Sequence, residues 1–206
     1  RMEHRTLSLD VVLAGFRYVW RASMLLGSFS LDLFVVLLGG ATALMPIFAH
    51  DILHQGPRGL DMLRAAPAFG AVAMSLVMAR FPLRRRAGRR LFVCVSIFGV
   101  GTVIFGLSHT LWLSLTSLAI AGAADTISVI IRGSILQLAT PPEMRGRVSA
   151  VNALFVGASN ELGEFESGVT AQWWGAVRAT VIGGIGALAV AGLWSAIFPG
   201  LRAADG

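Results

Sequence analysis

Long apolar runs, broken by short gaps that carry arginine, organise this chain. Runs near the length needed to cross a bilayer, about 20 residues, cover 24–49, 65–80, 91–107, 111–136, 149–171 and 179–198. They predict six spanning helices and an all-α membrane fold. The fifth run carries three glutamates and strict hydropathy would pass over it; its place between gaps of opposite character supports it. Ahead of the first run, Leu9, Val12, Leu13, Phe16, Val19 and Trp20 repeat at helical spacing, with Arg17 and Arg21 on the other face. This predicts an amphipathic helix lying on the inner leaflet, where arginine attracts anionic headgroups. The plainer alternative is a helix packed on another domain. The expected division is therefore a cytoplasmic linker helix over 1–22, a six-helix bundle over 23–199 and a cytoplasmic tail over 200–206. In the last run Gly183, Ala187 and Ala191 recur at four-residue spacing beside Gly184 and Gly192, a stripe that lets helix backbones approach closely in lipid. The chain opens on Arg1 with no signal peptide before the first polar stretch, as expected for a segment of a longer protein.

Composition agrees with a lipid environment. Of the 206 residues 55% are hydrophobic and 14% charged, with mean hydropathy +0.74, too few charges to cover a soluble domain of this size. All basic residues are arginine, and a pI near 11.3 raises the question of nucleic-acid binding. Their placement answers it. Arg1, Arg5, Arg17 and Arg21 precede the first run; Arg80, Arg84, Arg85, Arg86, Arg89 and Arg90 separate the second from the third; Arg145 and Arg147 separate the fourth from the fifth; Arg202 follows the last. The alternate gaps hold only Arg58, Arg64 and Arg178. The positive-inside rule then predicts a multi-pass protein of the cell membrane with both termini cytoplasmic, and no nucleic-acid partner. Trp173 and Trp174 fall at the expected external interface. Cys94 is the single cysteine, so no internal disulfide or cysteine-based metal site can form.

Charges inside spans are costly and point to function. The first span holds Asp32, the fourth Asp125 and Arg132, and the fifth Asn160, Glu161, Glu164 and Glu166, whereas the third and sixth have none in their interiors. Helices one, four and five are thus expected to face a polar interior, and three and six to face lipid. Glu161 and Glu164 share a helix face with Gly157 and Gly168, and Glu161 falls near mid-bilayer. A carboxyl there is costly to ionise, which makes it a candidate proton carrier; simple pairing with a polar group elsewhere in a larger bundle is the equal alternative. Glu166 lies off that face, toward solvent. Asp125 and Arg132 stand two turns apart, too far for a direct pair unless another helix bridges them, and Arg132 is expected to snorkel to the cytoplasmic interface. For Asp32 a cavity role and a buried structural contact are both open. Thr140 and Glu143 have capping-box spacing, with Pro141 at the first helical position. They predict a short surface helix that Arg145 and Arg147 lock to neighbouring helix ends, with gating the lesser reading. The histidines all lie in gaps, and no Walker A, HExxH or GxGxxG pattern occurs; an enzyme, a cofactor and a metal site are not expected.

Several stretches resemble the major facilitator superfamily, in its enterobactin-exporter-like, transmembrane secretion effector branch. They are Leu31-Asp32-Leu33-Phe34, the run 37–44, Arg132 through Gln137, Thr140-Pro141, Arg145-Gly146-Arg147-Val148 and Ser159-Asn160-Glu161-Leu162-Gly163-Glu164. The resemblance covers nearly the whole chain and is to the second half of such a transporter, so the six spans would correspond to helices seven to twelve. The family's cytoplasmic motif ends in a Gly-Arg-Arg-like element, matched by Gly88-Arg89-Arg90; its first Gly falls on Phe81 and its Asp on Arg85, which puts a conformational-lock role for this loop in doubt. The likeness implies proton-coupled efflux of a small organic molecule, siderophore or drug-like, by alternating access. The implied partners are the N-terminal six-helix half of the same transporter, the lipid bilayer, the substrate and protons. The proton-coupling or cavity candidates are Glu161, Glu164, Asp32, Asp125 and Asn160; the gating or loop candidates are Arg132, Arg145, Arg147, Gly88, Arg89 and Arg90. The alternative is a non-transporting six-helix membrane scaffold or assembly subunit.

Overall fold

A computed structural model describes residues 9–81 and 87–203. Arg1, Arg5, Arg84, Arg85 and Arg86, the side chains of Leu9 and Val12, and the tail beyond Ala203 lie outside the described residues. The described chain is helical throughout. The amphipathic segment is α1 (Leu9–Arg21), and α2 (Ser23–Leu38) begins the first span. That span then breaks and re-forms through a 3-10 turn at Ala41–Leu44, a short α3 (Met45–Ile47) and a π-helical turn at Phe48–Ile52. The break starts at Gly39-Gly40, which end α2 cheaply because glycine is a poor helix former. The remaining helices are α4 (Gly56–Arg80), α5 (Ala87–Leu107), α6 (Leu111–Ala139), α7 (Pro142–Trp174), α8 (Ala176–Ile197) and a closing turn α9 (Pro199–Arg202).

Five of these segments, Ser23–Ile52, α4, α5, α6 and α8, are long and apolar enough to cross a membrane. At 33 residues α7 is the longest helix, but its glutamates and arginines keep it below that level of apolarity. Two boundaries differ from the hydropathic reading. Helix α4 starts nine residues ahead of the apolar run, because Arg58, Asp61 and Arg64 lower hydropathy without breaking a helix. The predicted short surface helix does not exist separately: its residues are the first turns of α7. No capping box closes it, since Pro141 is the N-cap and no side chain caps it. The Thr140 hydroxyl is buried without a partner, while Arg145 Nε donates to the Thr140 carbonyl at 3.2 Å and so ties α7 to the end of α6.

Helix α4 packs on α6, α5 on α6 and α8, and α2 on α7 and α8. The apolar core divides in two. One cluster, at the end where α1 and α9 lie, gathers Val19, Leu25, Leu31, Leu91, Ile131 and Val148. The other, at the opposite end, gathers Leu44, Met45, Phe48, Leu63, Phe105 and Leu118, with the Phe48 and Phe105 rings 4.4 Å apart. Close helix crossings rest on small residues. A Cβ on Gly40 would meet the Gly163 carbonyl oxygen at 2.8 Å, and one on Gly163 would meet the Val36 carbonyl oxygen at 2.8 Å. The α8 stripe works the same way: Gly183, Gly184, Ala187 and Ala191 are buried, while Gly192 faces open space.

Helix α1 uses both faces that its pattern allows. Val19 is buried, Phe16 stacks on Phe155 of α7 at 6.2 Å, and the Tyr18 hydroxyl donates to the Ala139 carbonyl at 2.9 Å. Leu13 and Trp20 remain exposed on its outer edge. It is docked on the bundle along one side and apolar along another. Helix α9 turns back on the bundle, where Leu201 is buried.

Candidate functional site: an ion cluster beside a cavity

The polar interior is built by α2 and α6, which bring residues a hundred positions apart side by side. Asp32 lies on the buried face of α2, its side chain 10% exposed. Arg132 of α6 forms a tight ion pair with it through Nη1 and Oδ1. Its Nη2 stands 4.0 Å from Asp125 Oδ1, and its Nε donates to the Ser128 carbonyl at 3.4 Å. The guanidinium thus spans the two turns to Asp125 by its own length and reaches across to α2 as well. Snorkelling to the interface, expected for Arg132, does not occur, because a buried carboxylate on the neighbouring helix offers a nearer partner than water. Cys94, Phe98 and Ser128 close around the pair and leave a void of only about 10 Å³. Such packing holds a charge pair; it leaves no room for a substrate.

Asp125 is different. Its side chain is 52% exposed, and it borders both the packed cluster and an open cavity of about 850 Å³. Thr42, Arg64, Thr102 and Glu164 also line that cavity, together with the broken stretch of the first span. One carboxylate therefore faces a buried cation on one side and a water-accessible hollow on the other. With two aspartates around one guanidinium, full ionisation leaves one negative charge in excess, and that excess is cheapest where solvent reaches it.

The structure brings some predicted residues together and separates others. Asp32, Asp125 and Arg132 form the cluster, and Glu164 joins Asp125 at the cavity wall. Glu161 and Asn160 are exposed on α7 and do not line the cavity. Glu166 accepts a hydrogen bond from the Thr170 hydroxyl at 2.7 Å, so it is partnered within its own helix. Arg145 and Arg147 sit on the first turns of α7, and Gly88, Arg89 and Arg90 on the first turn of α5, at the end of the bundle away from the 850 Å³ cavity. Arg64, read from the sequence as an external-gap arginine, belongs to α4 and lines the cavity. The signal that could have found the Asp32–Arg132 pair was available: Asp32 is the one charge in the first span and Arg132 a cation in the fourth, and opposite charges inside a membrane seek one another.

Two helices flank this site with apolar surface that no described residue covers. On α4, Phe69, Val72 and Leu76 are exposed, Phe69 to 74%; on α7, Leu154, Leu162 and Phe165 are.

Comparison with known proteins places the chain. The family model described as transmembrane secretion effector, of the major facilitator type, matches residues 5–205. The enterobactin exporter of Citrobacter koseri is 28% identical over 182 residues, covering 87% of this chain and 39% of that protein. The enterobactin exporter of Escherichia coli O139:H28 is 27% identical over the same length and shares. The chain thus spans about two fifths of the curated relatives it matches (39%). No solved structure gives a significant match.

Proposed function

Because this chain belongs to the transmembrane secretion effector family of the major facilitator superfamily, we propose that it is the C-terminal six-helix half of an efflux transporter. Helix α7 serves as its fifth span despite its low apolarity, with its glutamates turned away from lipid. The substrate is a small organic molecule, and the relatives' names make a siderophore the first class to try. The observation that carries this reading is the 850 Å³ cavity, walled by carboxylates and Arg64 and set beside a buried ion pair. The N-terminal half would cover the bare apolar faces of α4 and α7 and complete the cavity, and the two halves would rock about it.

Proton coupling is assigned first to Asp125. Protonated, it releases Arg132 wholly to Asp32; ionised, it competes for the same guanidinium. A proton entering from the cavity would therefore shift the pull on α6. Glu164, at the same wall, is the second candidate, and Glu161 comes third because it stands outside the cavity.

The test is flux in proteoliposomes of the full-length protein, with enterobactin as the first probe. Asp125→Asn, which mimics the protonated acid, is expected to abolish uphill transport driven by a proton gradient while downhill exchange persists. Glu161→Gln is expected to keep uphill transport. Uphill transport by Asp125→Asn at the wild-type rate would remove Asp125 from coupling, and the same loss in Glu161→Gln would restore that residue. Absence of any flux across siderophores and drug-like cations in the wild type would favour the scaffold reading.

A further inference from the structure

The flank of the bundle away from the cavity carries a second, larger hollow. Its volume is about 1170 Å³, and it runs between α5, α6 and α8. Val93, Ile97, Val100 and Ile104 form its wall on one face of α5, at the three- and four-residue spacing of a single helical stripe. From Arg89 to Ile104 the helix rises roughly 22 Å at about 1.5 Å per residue. That exceeds the hydrocarbon depth of one leaflet, about half of a ~30 Å core. The hydroxyls along the hollow are already used: Ser96 Oγ donates to the Phe92 carbonyl at 2.8 Å and Ser195 Oγ to the Gly192 carbonyl at 2.7 Å. Below its mouth the groove is therefore effectively apolar.

The mouth is cationic. Arg89 projects from the first turn of α5 and Arg202 from α9, and both line the hollow. Their proximity is structural, since α9 is held against α5 where Gly88 meets the Leu201 backbone, with the Arg202 carbonyl oxygen 3.0 Å from where a Gly88 Cβ would stand. Among the described residues neither arginine has an acidic partner. The positive end of the α5 dipole lies at the same place.

We propose that this groove is a binding site for an anionic phospholipid of the leaflet on the side of α1 and α9, its phosphate between Arg89 and Arg202 and an acyl chain along α5. Both halves of the surface are then used. A free phosphate would neutralise the arginines but leave the apolar wall bare. The site lies apart from the 850 Å³ cavity and shares no lining residue with it.

The experiment is native mass spectrometry of the delipidated full-length protein with phosphatidylglycerol or phosphatidylcholine added back. The wild type is expected to retain one phosphatidylglycerol in preference to phosphatidylcholine. At about one decade per 1.4 kcal/mol, and near 1 kcal/mol for each basic residue at an anionic surface, Arg89→Gln with Arg202→Gln should reduce that preference roughly thirtyfold. Gly192→Phe fills open space in the groove wall and should lower retention of either lipid. Arg17→Gln with Arg21→Gln, which removes the exposed arginines of α1, should leave the preference intact. A wild-type preference in the Arg89/Arg202 variant, or its loss in the Arg17/Arg21 variant, would overturn the assignment.

Discussion

Taking away the Arg132 guanidinium strands Asp32 in an apolar wall. Breaking a buried ion pair from one side costs about 3–5 kcal/mol, whereas replacing both members with apolar groups is often close to neutral. Arg132→Leu is therefore expected to lower the unfolding temperature of the full-length protein in detergent, and adding Asp32→Leu to recover most of that loss. A double variant as unstable as the single one would show that the pair matters for something other than charge compensation. At this scale the sequence was half legible. Costly charges in spans marked Asp32, Asp125, Arg132 and Glu164 as residues to watch, and all four lie at the cluster or the cavity. Which of them touch was not legible, because the α2–α6 contact joins positions a hundred apart. The position of Glu161 was hidden for a related reason: helical periodicity places it with Glu164, yet only Glu164 lines the cavity, because two residues on one stripe can fall on either side of a cavity's rim.

Helices in lipid are held by shape as much as by chemistry, and α7 offers an internal comparison. Gly163 lies against the α2 backbone, and Gly157 has nothing within 4 Å of its would-be Cβ. Gly163→Ala should destabilise this chain by about 1–3 kcal/mol through overpacking. Gly157→Ala should stabilise it by up to about 1 kcal/mol, the gain of replacing a mid-helix glycine. Thermal unfolding of the two variants checks both signs, and equal effects would contradict the crossing described. The same helix shows what hydropathy reads well and badly. The runs in α2, α5, α6 and α8 stand out because lipid and core both demand apolar side chains there. Helix α7 is visible only through its neighbours, since its glutamates and arginines lower its hydropathy. The start of α4 is hidden because Arg58 and Arg64 look like a loop until the helix turns Arg64 inward.

For the whole molecule, the arginine bias predicts that both termini lie in the cytoplasm. A tag inserted within 83–88 should be labelled only from the cytoplasmic side, and one within 54–59 only from outside. The reverse pattern would invert the orientation that the arginines predict for the bundle. The docking of α1 bears on how such a bundle can move. A single residue, Ala22, joins α1 to α2, and Phe16, Gly15 and Tyr18 fix α1 to the neighbouring ends of α7 and α6. It therefore acts as a splint across the lower ends of α2 and α7. Further along, α7 meets the end of α2 again, where Gly163 packs on Val36 and on Gly40 just beyond it. Two arms splinted at the base and crossed in the middle can part only above the crossing, like the blades of shears whose handles are bound. The broken upper stretch of the first span, Ala41 to Ile52, lies beyond that crossing and lends Ala41, Thr42, Met45 and Pro46 to the cavity wall, so bending there would change the cavity's width while the base stays closed.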